Sequence, residues 1–377
     1  MIYNLKGLKK KIALELFCLH AFKRKSPEES EKELSLKFVN YAQGLPLALK
    51  VLGSHLFSKS KDVWQSLLNK ITKVDADEKV TSTLKISFDG LSSKQQSIFL
   101  DIACFFRGKE KYLVRDILDD CGDFNIAIEV LIDRCLVTVS DEGTLEMHDL
   151  LAEMGRSIAR GSNNKFLENC STRLCMGKDV CRFFSSNKAS STIEAISYDH
   201  HDGDVINLDP SFFKKLPSLR LLNISSFIGF RSPYALRDPF PGELRFLEWN
   251  GYPLESLGSN FTPQNLVYLK MEESELKELW KENQDVSNLK YVILSESKKL
   301  TCLPNLSQGN LHMLRLDGCT SLVTLPPLRF HDILDDPDKE FEVMHIYNSL
   351  TVKYRKIYIW SLYFDLISFF AVIYYIG

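Results

Sequence analysis

The sequence predicts a multidomain chain of α plus α/β class: a helical domain and a winged helix, followed by a repeat solenoid. Three observations predict it. Apolar residues recur at helical spacing through the first third, the period changes to two between Val137 and Glu146, and an L-x-x-L-x-L core returns from Leu219 onward. The 377 residues are enough for two or three domains of roughly 100–200 residues each. With 45% hydrophobic and 25% charged residues, the composition excludes wholesale disorder, a collagen-like chain and a multispan membrane protein. A net charge of −2 offers no global reason to bind nucleic acid. Nine cysteines with no C-x-x-C pair point to a reducing, cytoplasmic compartment rather than to a secreted disulfide framework. Cys170, Cys175 and Cys181, with His200 and His201, have spacings that fit no common zinc pattern, so no metal is expected.

The predicted boundaries are a helical domain at 1–75, a winged helix at 76–162, a connector at 163–205, repeats at 206–328 and an atypical tail at 329–377. Near the N-terminus, Glu15 and His20 interrupt the apolar stretch and no cleavage site follows, which excludes a signal peptide. As a helix, the stretch places Ile12, Leu16, Leu19 and Ala21 on a packing face. Residues 33–57 read as two helices broken at Gly44-Leu45-Pro46, with Gly44 as the stop and Pro46 in the first turn of the next helix, ahead of Leu47. Such a corner serves either as a nucleotide contact or as a plain helix connection.

Ser92 with Gln95 three residues on forms a capping box for a helix through Ile98, Phe99, Ile102 and Phe105. Helices at 111–121 and 125–135 follow, then two short strands around Asp141-Glu142-Gly143: three helices and a hairpin make a winged helix. Residues 80–160 hold nine Lys/Arg against fourteen Asp/Glu, and the would-be recognition helix at 125–135 carries Glu129 and Asp133 against Arg134 alone. Phosphates would be repelled, so no nucleic-acid partner is expected. After the hairpin come Met147, His148 and Asp149 at a helix start. Asp149 suits a cap, and His148 is either a structural histidine or a donor to an anionic ligand.

Four motifs in one order, GLPLALKVLG (44–53), LKISFDGL (84–91), FLDIACFFRG (99–108) and MHDLLAEMGR (147–156), resemble plant nucleotide-binding leucine-rich-repeat immune receptors. The FLDIACFF form resembles the subclass with an N-terminal Toll/interleukin-receptor domain. The resemblance implies a switch between an ADP-held closed state and an ATP-held open one. It implies that Pro46 packs against the adenine, that His148 reaches the diphosphate and that Asp149 helps hold the winged helix shut, with Gly44, Leu45, Leu47 and Met147 of the same two motifs as further nucleotide-binding candidates. The family's Walker A loop, Walker B acid and Toll-type domain have no counterpart in these residues. The expectation is therefore the lid of a nucleotide site without its floor, and no enzyme activity.

From Leu219, repeat cores begin also at Leu244, Leu266, Leu289 and Leu311, which identifies leucine-rich repeats. Residues between the leucines project from the coil and can meet a partner: Arg245, Glu248, Tyr268, Lys270 and Glu272 in the earlier coils. Lys290, Tyr291, His312, Arg315 and Asp317 follow in the later ones. The resemblance implies a pathogen effector, a guarded host protein, or other receptor domains and full-length receptors as partners. The alternative is a nucleotide-independent repeat adaptor acting through the solenoid alone. Residues 359–376 carry one charge, Asp365, after Lys353, Arg355 and Lys356, and read either as a short membrane span or as a tail without a partner.

Overall fold

A computed structural model of the chain describes residues 7–71, 79–119, 122–161, 172–186, 188–198, 207–208, 212–225, 229–230, 240–258, 261–281, 284–323, 325–326 and 328–330. The first unit is a group of helices, α1 (Lys10–Phe22), α2 (Glu29–Tyr41), α3 (Pro46–Leu56), α4 (Lys61–Ile71) and α5 (Lys79–Asp89). Aromatic rings organise its core. Phe17 stacks on Phe38 at 6.0 Å, and Trp64 meets both edge-on. This choice of core corrects the face expected for α1: Ala13, Phe17, Cys18 and Ala21 are buried, whereas Ile12 and Leu19 are 50% and 41% exposed. Apolar residues surround α1 on nearly every side, so spacing alone could not choose between stripes. The large ring of Phe17 did, because it brings the most area to bury.

The winged helix consists of α6 (Ser93–Asp101), continued by a π turn over Ile102–Phe106, then α7 (Lys111–Leu118), α8 (Phe124–Asp133), β1 (Thr138–Val139), β2 (Leu145–Glu146) and α9 (Asp149–Arg160). Ser92 and Gln95 form the expected reciprocal cap of α6. The hairpin pairs Thr138 with Glu146 and Val139 with Leu145, as the alternation predicted. A cluster of His20 Nδ1, Ser54 Oγ and Cys135 Sγ, 3.1–3.5 Å apart, ties α1 and α3 to the end of α8.

The third unit is a parallel solenoid. Its strands are β3 (Arg173–Leu174), β4 (Ala195–Tyr198), β6 (Leu221–Ile224), β8 (Phe246–Trp249), β9 (Tyr268–Lys270), β10 (Tyr291–Ile293) and β12 (Met313–Arg315), hydrogen-bonded in that order into one parallel sheet. Helix α10 (Gly177–Ser186) lies between β3 and β4, and two short parallel pairs flank the sheet: β5 (Asn207–Leu208) with β7 (Gly229–Phe230), and β11 (Leu306–Leu311) with β13 (Leu328–Phe330). The repeat leucines behave as their spacing predicted. Leu244, Leu247, Leu266, Leu269, Leu289, Val292, Leu294, Leu311, Leu314 and Leu316 are buried in one continuous core. The sheet, however, begins well before residue 206: β3, α10 and β4 lie in the stretch expected to be a connector. Their sequence lacks the leucine pattern because aromatic residues, Phe183, Phe184 and Tyr198 with Phe212 of the next coil, fill the core instead.

Among the described residues no helix is long and apolar enough to cross a membrane. The apolar run at 359–376, and all the tail beyond Phe330, lies outside the described residues.

Candidate functional site

Side chains alternate across a strand, so each strand of the solenoid sends one set inward and one set out over the concave face. The outward set does not face solvent. Ala195, Leu221, Phe246, Val267, Tyr268 and Ile293 share one apolar cluster with Phe106, Val114, Ile117, Leu131 and Leu151 of the winged helix. Phe106 of the π turn meets Phe246 edge-on at 5.6 Å, Phe246 stacks on Tyr268 at 4.7 Å, and Tyr291 and His312 continue the ladder. Aligned rings in successive coils follow from the strand register, in which Phe246 pairs with Tyr268 and Tyr268 with Tyr291.

Two polar anchors fix the winged helix on this face. The first is at α7, an amphipathic helix that buries Val114, Ile117 and Leu118 but also Asp116. The Asp116 carboxylate lies 3.0 Å from Lys290 Nζ and 3.2 Å from His312 Nδ1, and it accepts from Tyr291 OH at 3.0 Å. Burial alone would raise the Asp116 pKa. The hydrogen bond with His312 and the charge of Lys290 outweigh it and hold the carboxyl far below the usual carboxylate range. Arg245 completes the anchor by donating to the Ile117 carbonyl at 2.7 Å and, at longer range, to those of Asp116 and Asp119. A helix end leaves carbonyls without intrahelical partners, and a guanidinium satisfies them while complementing the helix dipole.

The second anchor is at the end of α6. Asp101, 1% exposed, receives Arg173 Nε and an Arg220 terminal nitrogen at 2.7 Å each, and Glu194 joins the two guanidinium groups from the solvent side. Burial opposes ionisation of Asp101, but Arg173 and Arg220 prevail and lower its pKa. Asp101 and Asp116 were not foreseen as site residues. The available signal was an acid inside an apolar stretch, FLDIACFF and LVRDIL, which requires a buried partner.

The ten predicted partner residues thus divide. Arg245, Tyr268, Lys290, Tyr291 and His312 contact or pack against the winged helix. Glu248, Lys270 and Glu272 form a separate ionic group, with Lys270 Nζ 3.2 Å from Glu248 and 3.0 Å from Glu272. Arg315 follows Ile293 in register, while Asp317 lies in the turn after β12, where its carbonyl accepts from the Glu296 N–H.

At the predicted nucleotide side, Gly44 has φ +73°, and a Cβ there would meet the Leu8 carbonyl oxygen at 2.6 Å, so glycine is required at this corner. Leu45 is the N-cap of α3, Pro46 its exposed first residue, and Leu47 packs on the apolar cluster that also holds Met147 and Leu151. His148, not Asp149, is the N-cap of α9: its Nδ1 accepts from the Leu150 N–H at 3.2 Å, because an extended backbone at His148 aims the ring at the free N–H groups. Asp149 is the first helical residue and pairs with Arg107 at 2.6 Å. With Nδ1 accepting, a neutral His148 carries its proton on Nε2, an exposed donor beside a helix N-terminus, and that chemistry fits a phosphate oxygen.

Among the described residues no group of His, Cys, Asp and Glu could hold a metal ion. Cys170, His200 and His201 lie outside the described residues, while Cys175 faces Cys104 and Cys181 lies 3.6 Å from Tyr198 OH.

Residues 92–163 match the family of the disease resistance protein Roq1-like winged-helix domain. The chain is 38% identical to the disease resistance protein RUN1 of Vitis rotundifolia, over 86% of this chain and 26% of that protein. It is 37% identical to RPP2B of Arabidopsis thaliana, over 85% of this chain and 27% of that one. To the TMV resistance protein N of Nicotiana glutinosa it is 35% identical, over 85% and 28%. The chain spans about a quarter of the length of these curated relatives. Over the residues it spans, the chain carries the winged-helix domain of the Roq1-like disease-resistance family, followed by a leucine-rich solenoid, and is similar over most of its own length to plant disease-resistance proteins.

Proposed function

We propose that the chain serves plant defence as a binding and signalling segment of an immune receptor rather than as an enzyme, in which the position of the winged helix on the solenoid carries the signal. The observation that carries this reading is the anchor of Asp116 on Lys290, Tyr291 and His312. With the shared apolar cluster and the Asp101 anchor it holds the two units as one closed body, and its polar contacts can exchange as a set. A partner that needs Arg245, Tyr268, Lys290, Tyr291 or His312 must displace the winged helix. A pathogen effector or a guarded host protein is the partner class that the resistance relatives suggest, and seven free thiols among the described residues suit a reducing cytoplasm.

Nucleotide enters this reading through His148. ADP, when bound, would supply the anionic group; Pro46 would offer a flat apolar edge and His148 an Nε2–H donor, coupling the start of α9 to the ligand. Calorimetric titration of ADP into the purified chain tests it. Heat in the native protein that disappears in His148→Ala supports the coupling, and silence in both samples leaves the nucleotide-independent adaptor as the better account.

A further inference from the structure

Cys104 and Cys175 come together across the junction between the winged helix and the first strand of the solenoid, with their sulfurs 3.1 Å apart although the two stand 71 positions apart in the sequence. Two adjacent anchors explain the meeting. Asp101 and Cys104 stand three residues apart and share one side of the helix, while Arg173 and Cys175 stand two apart on an extended chain and share one side of it. The Arg173–Asp101 pair, reinforced by Arg173 donating to Ser97 Oγ at 2.7 Å, therefore sets the two thiols opposite each other. Both cysteines are half-buried, so a small reagent can reach them.

We propose that Cys104 and Cys175 form an oxidant-responsive modification site, in which a small hydroperoxide converts the thiol pair to a disulfide that staples the winged helix to the solenoid. The shared hydrogen with Cys104 lowers the Cys175 pKa against burial, and Arg156 adds to the lowering. The same contact, together with burial and Asp101, raises that of Cys104. Cys175 is thus the attacking thiolate and Cys104 the resolving thiol. The Cys175 sulfur attacks one peroxide oxygen: an S–O bond forms, the O–O bond breaks, and the departing hydroxide takes a proton to become water. The Cys104 sulfur then attacks the Cys175 sulfenic acid: the S–S bond forms, the S–O bond breaks, and the hydroxyl leaves as a second water with the Cys104 proton. The two thiols together lose two electrons and the peroxide gains them. The link needs the docked arrangement, since separated units would hold the sulfurs apart, and once formed it prevents separation.

Hydrogen peroxide added to the full chain, followed by thiol blocking and non-reducing tryptic mapping, tests the site. The expected product is peptide 95–107 joined to peptide 174–178, two hydrogens lighter than their sum and released by dithiothreitol. Peroxide should also raise the melting midpoint by several degrees in the native chain, but not in Cys104→Ser or Cys175→Ser. Recovery of Cys104 and Cys175 as free thiols, as separate sulfinic acids, or in links to other cysteines would overturn the proposal. The mapping is made on the native chain, so poor folding of either variant has no bearing on the linked peptide. Since no nucleotide is added, it is also independent of the His148 titration.

Discussion

Replacing Asp116 by alanine removes one carboxylate and leaves three solenoid groups without it. Its side chain is 3% exposed, and it serves Lys290, Tyr291 and His312 together, the last with a side chain 6% exposed. Removing one partner of a buried ionic group strands the others, and such losses amount to about 3–5 kcal/mol. Lys290, 29% exposed, can turn partly to water, which places the expected loss near the lower end. Because every 1.4 kcal/mol is about tenfold, about 3 kcal/mol corresponds to roughly a hundredfold rise in local opening. Hydrogen–deuterium exchange would read it at 111–119 and 290–293, with faster exchange there and over the strands that the winged helix covers. Glu255→Gln, which removes an exposed partner of Lys277 on the outer side, is the control and should change nothing. If exchange at 111–119 is the same in Asp116→Ala as in the native chain, the anchor does not hold the two units together.

Asp101→Ala should be comparably severe, about 3–5 kcal/mol, since Arg173 and Arg220 lose their buried carboxylate and are left with the more exposed Glu194; a fall in melting midpoint with faster exchange at 93–101 and 221–224 would show it. Acid should undock the units in a defined direction. The folded pKa values of Asp101 and Asp116 are both depressed, so their contribution is complete above the ordinary carboxylate value of about 4 and is lost as pH falls below it. A pH series of the same exchange experiment measures this, and docking that weakens on raising the pH from neutrality instead would reverse the assignment. At Gly155 of α9 a Cβ would lie 2.6 Å from the Ala103 Cβ, so Gly155→Ala should cost about 1–3 kcal/mol by overpacking, and Ala103→Gly in the same chain should restore most of it.

The repeat core was legible because leucine at fixed spacing is imposed by the coil itself: each of Leu266, Leu289 and Leu311 must enter the same interior layer. The winged helix was legible for a similar local reason, the Ser92 cap and the change of period at Val137. What escaped were features decided by contact between units. Arg245, Tyr268 and Tyr291 look from the sequence like a free recognition face, because alternation tells which side a residue takes but not what covers that side. Likewise β3 and β4 escaped, because their coils are filled by Phe183, Phe184 and Tyr198 rather than by leucine. At His148 the chemistry was legible as a helix start, but whether it or Asp149 capped α9 depended on the backbone at one residue.

Hydroxyl-radical footprinting of the full chain measures most directly whether the winged helix covers the solenoid's concave face. Phe246 and Tyr268, 3% and 5% exposed under the winged helix, should react far more slowly than Tyr112, which is 38% exposed on α7, and should become reactive in Asp116→Ala. Oxidation of Phe246 and Tyr268 at the rate of Tyr112 in the native chain would show an open face and contradict the account.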